Sequence, residues 1–310
     1  MPLAYKSISS LAPKRITHHN RHRLSPASPS NRRFSSSTAS KEIAPPPKPT
    51  TGLAGRLASA APKTTETYVA FGVTSNLFRK CNDQAAYFFP QREAKASASV
   101  PTLPSGEEVG LTDTDYSWWH DELGLQPTFS TWSQVCMLHM YIILVRLRAL
   151  ESRDSTMIYH QHLLDHFTYE AEDKMTVLHN LTASSIRNKY LKDIYLQWRG
   201  ILGSYDEGLI KGDAVLAAAI WRNLWKADEN VDWRNVAKVV AYMRRLIKVL
   251  GDDADGAVLA ELSGVAPGSE GTDLFRKIQQ EESLVAKKSK GIDEVFNPEE
   301  SAGQVEGQQG

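Results

Sequence analysis

Between Gly203 and Trp225 the chain reads GSYDEGLIKGDAVLAAAIWRNLW, and the second half of that stretch leaves a helix no polar face. Every residue from Ala214 to Ile220 is apolar, and Trp221, Leu224 and Trp225 prolong the run. A helix apolar on all sides is buried among other helices or covered by a partner. Asp213 is placed to cap its start, since a carboxylate there accepts from backbone N–H groups two or three residues on. Upstream, Gly203, Gly208 and Gly212 punctuate Tyr205-Asp206-Glu207, which predicts a compact acidic turn. The expectation is a helical protein with 214–225 as its central helix.

Helical spacing governs much of the remaining chain. Asp115 to Gly124 reads as a short amphipathic element carrying Trp118 and Trp119. Ser130 or Thr131 caps an apolar helix to about Leu150, and Asp154 or Ser155 caps another to about Asp173. From Ala183 to Gly203 a stripe of Ile186, Tyr190, Ile194, Trp198, Ile201 and Tyr205 recurs every three or four residues. Asp232 caps a helix that turns Trp233, Val236, Val240, Met243, Ile247 and Leu250 inward and stops at Gly251. No strand alternation, hairpin signal or repeat period competes with this pattern. The fold class is all-α: one bundle of five to six helices over residues 115–250, large enough to bury a core without disulfides or metal.

The flanks differ in composition. Residues 1–34 hold seven Lys or Arg and no acidic residue, with many serines, which predicts a mitochondrial transit peptide; Arg32-Arg33-Phe34-Ser35 resembles a processing junction. The whole chain balances 36 basic against 36 acidic residues, so residues 35–310 carry 29 against 36, a net charge of −7. Bulk charge therefore gives no argument for nucleic acid. Residues 35–65 read as a Pro/Ser/Thr-rich linker, 66–114 as a weakly helical lead-in and loop, and 251–310 as an acidic flexible tail with one helix at Thr272–Lys288. Cys81 and Cys136 stand alone, which suits buried thiols in a reducing compartment. The apolar run Val135–Val145 is 11 residues with a central histidine, short of the about 20 a membrane crossing needs. Peripheral attachment stays open.

Three groups of residues invite chemistry. His162 and His166 share a helix face near His160, but Leu163 stands where a zinc hydrolase has Glu, and no third ligand accompanies them. Ordinary hydrogen bonding is expected of them, and His139 reads as a satisfied core histidine. Asp206 and Glu207 would need opposed geometry and separated pKa values to act as acid and base, and no phosphate loop or nucleophile elbow supports them. No catalytic residue, cofactor or metal site is expected, and the chain reads as a non-enzyme. The basic faces at 187–199, with Lys189, Lys192 and Arg199, and at 234–248 read first as solvated surfaces. Contact with RNA phosphates is the alternative.

Several ordered pieces complete the reading. Phe129-Ser130-Thr131-Trp132 leads into the helix ending Val145-Arg146-Leu147-Arg148; His166-Phe167 and Glu170 follow. Then come Gly203-x-Tyr205-Asp206-Glu207-Gly208, Asp213 and Leu216-Ala217-Ala218-Ala219-Ile220-Trp221-Arg222. In this order and spacing, over about residues 115–250, they resemble the ubiquinol–cytochrome c chaperone family. The resemblance implies a non-catalytic helical chaperone on the matrix side of mitochondria, peripheral to the inner membrane. It implies work with a small partner assembly factor near the tunnel exit of the mitochondrial ribosome, holding nascent cytochrome b before complex III is built. A ribosome- or mRNA-binding translation activator is the alternative. An apolar client needs an apolar receiver, so Tyr205, Asp206, Glu207, Trp221 and Trp225 are the candidate client or partner residues, with Lys189, Lys192 and Arg199 beside them.

Overall fold

A computed structural model describes residues 66–93, 99–112, 116–253, 256–263 and 273–288. The expected transit peptide, the linker and the chain after Lys288 lie outside these residues. The described residues carry nine α-helices and no strand, so the chain is all-α as the periodicity predicts. They are α1 (Glu66–Asn82), α2 (Pro90–Glu93), α3 (Phe129–Leu147), α4 (Arg153–Val177), α5 (Ser184–Lys211), α6 (Asp213–Leu224), α7 (Trp233–Asp252), α8 (Ala257–Leu262) and α9 (Leu274–Lys288).

The bundle is built around α3. Thr128 caps it, its hydroxyl accepting from the Thr131 amide at 3.2 Å, two residues before the expected start. Every residue from Thr131 to Leu144 is buried, because α1, α4, α5, α6 and α7 all pack against it. Two polar side chains in this helix find partners inside the bundle, His139 through both ring nitrogens and Gln134 through its amide nitrogen alone, its Oε1 having no partner among the described residues. The His139 Nδ1 sits 2.7 Å from the Val135 carbonyl, so it donates there, and Nε2 accepts from the Tyr242 hydroxyl at 2.8 Å. Gln134 donates to Gln197 at 2.8 Å. A buried polar group without such partners would be strongly destabilising.

The helices around it follow their apolar stripes. Ser152 caps α4, accepting from the Ser155 amide, and Asp232 caps α7, accepting from the Arg234 amide at 2.9 Å, as its sequence position predicts. Helix α1 turns Ala70, Val73, Leu77, Phe78 and Cys81 onto α3 and α4, so the segment before residue 115 shares this core. Burial pushes the thiols of Cys81 and Cys136 well up, in keeping with inert core positions. The short amphipathic element expected at Asp115 to Gly124 is a single wide helical turn, Trp118–Glu122, with both indoles buried. No helix among the described residues is long and apolar enough to cross a membrane.

Three expectations fail at the α5–α6 corner. The acidic segment 203–208 is not a turn, because α5 continues through it to Lys211. The break comes at Gly212, whose φ of +111° is a conformation that side-chain-bearing residues avoid. Asp213 consequently falls one residue inside α6 and caps nothing. Nor is α6 central: it buries only Leu216, Ala219, Ile220 and Leu224, while Ala214 is exposed and Ala217, Ala218, Trp221 and Trp225 are half-buried.

Candidate interaction surfaces

In a continuous helix, three successive residues point about 100° apart, and this dissolves the acidic pair. Tyr205 points inward, fully buried, its ring edge-on to Tyr141 at 5.3 Å, and burial pushes its phenol up. Asp206 lies at the rim of α3, accepting from the Tyr141 hydroxyl at 2.8 Å and from Arg148 at 2.6 Å. Burial, then the hydrogen bond and charge of Asp206, raise the Tyr141 phenol. Glu207 points to solvent and pairs with Lys211 at 2.6 Å, which lowers its carboxyl. Asp206 and Glu207 therefore have separate partners and no common reacting position.

The corner itself is held from α7. Arg244 donates from Nε to Asp213 at 2.9 Å, and from its two terminal nitrogens to the carbonyls of Leu209 and Gly208 at 3.2 and 3.3 Å. A cation on the last carbonyls of α5 is favourable to the helix dipole, and an acid in the first turn of α6 is favourable to the other end. Gly208 is a packing glycine: a Cβ there would lie 2.6 Å from Leu216 Cα. It lets α6 cross α5 at backbone distance.

Two faces remain open around this corner. On α6 the half-covered row of Ala217, Ala218, Trp221 and Trp225 meets Trp233, which is 53% exposed and 5.3 Å from the Trp221 ring. Trp221 donates to the Asp228 carbonyl at 2.7 Å, tying the indole to a loop in which Lys226 and Ala227 both hold positive φ. The outer ridge of α5 presents Lys189, Lys192 and Arg199, which form no ion pair with any described residue. Leu196, 53% exposed, lies between Lys192 and Arg199, and Ile210, 85% exposed, follows about three turns further along α5. The other basic face differs. Lys238 pairs with Glu122, Arg244 with Asp213, and Arg245 with Glu281 and Glu282, so most of the charge on α7 is already answered within the chain.

The histidines have structural occupations. His160 accepts from the Trp198 indole at 3.3 Å, and His166 faces the Phe71 carbonyl at 3.2 Å with its ring 4.5 Å from that of Phe71. Burial lowers both imidazoles. His139 is the core histidine expected, held neutral by burial with a pKa of about 4.

One polar cluster had no signal in the sequence. Glu108 accepts from His179 at 2.6 Å and from Arg92 at 2.5 Å, and His179 in turn lies 2.7 Å from the Tyr87 hydroxyl. Lys174 is buried beside it, paired with Glu170 and seated over the rings of Trp132 and Tyr87. Burial opposes the charge of Glu108, but His179 and Arg92 outweigh it and its carboxyl is lowered. The cluster ties the segments 87–93 and 99–112 to the end of α4. The hydrogen-bonded pairs among Tyr87, Arg92, Glu108 and His179 are 16 to 92 residues apart, beyond the reach of any local pattern.

Taken together, these features define an all-helical protein in which polar groups brace the bundle and apolar and basic faces are left outward. Comparison with known proteins gives the family. The family model for the ubiquinol–cytochrome C chaperone matches residues 121–262. The chain is 34% identical over 182 residues to protein CBP3, mitochondrial, of Saccharomyces cerevisiae, a match covering 58% of this chain and 53% of the yeast protein. It is 30% identical to ubiquinol-cytochrome-c reductase complex assembly factor 1 of Xenopus laevis, covering 46% of this chain and 68% of the frog protein. The human protein of that name is 27% identical, covering 44% of each chain. The match thus spans about half the length of the yeast relative. No solved structure matches. This chain belongs to the ubiquinol–cytochrome c chaperone family.

Proposed function

We propose that the protein is a mitochondrial assembly chaperone that receives newly made cytochrome b and supports its synthesis and incorporation into respiratory complex III. The observation that carries this reading is the half-covered face of α6, where Ala217, Ala218, Trp221 and Trp225 are only half-buried beside the exposed Trp233. Small side chains let a second helix approach closely, and flanking indoles offer broad apolar area with few rotamers to freeze. That is a receiving surface suited to an apolar helix not yet in its bilayer. Matrix-side work, peripheral to the inner membrane, alongside a small partner assembly factor at the ribosome tunnel exit, belongs to the same proposal. Photocrosslinking during mitochondrial translation, with probes at Trp221, Trp225 and Lys192, tests it. Cytochrome b is expected on the tryptophan probes, and deletion of the protein should remove complex III while sparing other complexes. Normal cytochrome b accumulation in the deletion strain would sink the proposal.

A second reading has its own observation. Lys189, Lys192 and Arg199 lack counter-charges, so a ribosome- or mRNA-binding activator would use the ridge of α5 rather than the neutralised face of α7. Phosphate contacts made there would weaken steeply with salt. Reversing all three charges should abolish ribosome association on this reading; unchanged association removes it.

A further inference from the structure

Helix α9 lies beyond the residues matched to the family. Among its described side chains the buried ones are Phe275, Ile278, Gln279 and Ser283, two apolar and two polar. Phe275 packs its ring 4.5 Å from His139. The Gln279 amide donates to Gln84 at 2.9 Å and reaches the Tyr242 hydroxyl at 3.4 Å. Ser283 donates to Glu122 at 2.6 Å, and Glu281 and Glu282 close the rim on Arg245. An aromatic anchor, an aliphatic residue three on, an amide four on and carboxylates six and seven on make the pattern of an amphipathic helix in a groove.

The groove needs little from its occupant. The His139–Tyr242 pair at its floor is satisfied within the bundle, since the Tyr242 hydroxyl donates to His139 whether or not Gln279 is present. Trp118 and Trp119 surround the Tyr242 ring at 5.1 and 5.8 Å, and both buried indole N–H groups lack a partner among the described residues. At the rim, the α9 contacts are ionic and half-exposed, which makes them sensitive to salt and to competing acids.

We infer that α9 is an exchangeable plug: the groove walled by α7 and the Trp118–Glu122 turn is a receptor for an amphipathic helix, kept shut by the chain's own C-terminal helix. The partner it fits is a helix with the α9 pattern, an aromatic anchor followed by an aliphatic residue, an amide and a carboxylate pair. Exchange at this groove does not depend on cytochrome b being the client of α6.

The probe is a fluorescent peptide of residues 273–288, added to the full chain. The wild-type chain should bind it at least tenfold more weakly than a Phe275→Ala/Ile278→Ala chain, whose own α9 is loosened while the groove is intact. A peptide carrying Phe275→Ala should bind neither chain. In the wild-type chain, amides of α9 should exchange with deuterium at least tenfold faster than those of α7, and faster still as salt rises. Equal peptide affinity for both chains, binding of the altered peptide, or α9 amides as slow as those of α7 would each overturn the inference. So would unfolding of the doubly substituted chain as a whole, because α9 would then be a fixed part of the core.

Discussion

Helices α3 and α6 have similarly apolar sequences and opposite situations. Both read as runs without a polar face, yet α3 is enclosed on every side and α6 is enclosed on one. The difference lies in the side chains and the neighbours. Helix α3 alternates Met, Leu, Tyr and Ile, large enough to reach five surrounding helices. Helix α6 seats Leu216 close against α5 over Gly208, and it is centred on three alanines, of which Ala217 and Ala218 fill little space outward. Apolarity thus sets the requirement for cover. Side-chain volume and the crossing of neighbouring helices decide whether the bundle itself supplies that cover or leaves a face for something else.

The largest test of this contrast is an alanine scan of α3. Leu138→Ala and Met140→Ala lie on different sides of the helix, and both should lower unfolding free energy by about 2–5 kcal/mol in urea titrations. A helix with one solvent-facing side would show the loss at only one of them.

Next in size is an effect of pH. His139 is fully buried and neutral, with a pKa of about 4 against about 6.5 unfolded. The unfolded chain binds the extra proton between these values. This contribution is therefore fully present above about pH 6.5 and is lost progressively as pH falls towards 4, by about 3 kcal/mol. His139→Gln should flatten the slope of stability against pH across that window; an unchanged slope would show that another group sets it. Helix α6 has no buried titratable side chain and contributes nothing comparable.

Smaller effects of opposite sign are expected at two glycines of α5. Gly208→Ala forces a Cβ against Leu216 and should cost about 1–3 kcal/mol by spreading α5 from α6. Gly203→Ala meets open space within a continuous helix and should stabilise by about 0.5–1 kcal/mol. Thermal unfolding of the pair distinguishes them. If Gly203→Ala destabilises instead, the helix does not run unbroken through the acidic segment.

Much of this architecture could be read in advance. The α7 cap at Asp232, the core position of His139 and the α9 helix follow from spacing along one element, as do the inward faces of α5 and α7 except at their first turns, where Ile186 and Trp233, expected inward, are exposed. The corner was misread for a physical reason: three glycines look alike in a sequence, although Gly203 faces open space, Gly208 serves a helix crossing and Gly212 alone makes the turn. Among the candidate residues, Tyr205 proved fully buried and Asp206 bound to α3, while Trp221, Trp225, Lys189, Lys192 and Arg199 retain surface. The Glu108–His179–Tyr87 brace was invisible because its parts come from three distant segments.

By itself, the order of residues determined the helical class, the family and most of the stripe that α5 and α7 bury, because these depend on a period of 3.6 residues and on motifs contained in single segments. The tertiary structure alone decided which apolar helix is central, which glycine is a turn and which cations remain unanswered. Those outcomes depend on distances between residues far apart in the chain. The stretch from Gly203 to Trp225 shows both: its apolar run demanded cover, and only the crossing at Gly208 determined how much the bundle would provide.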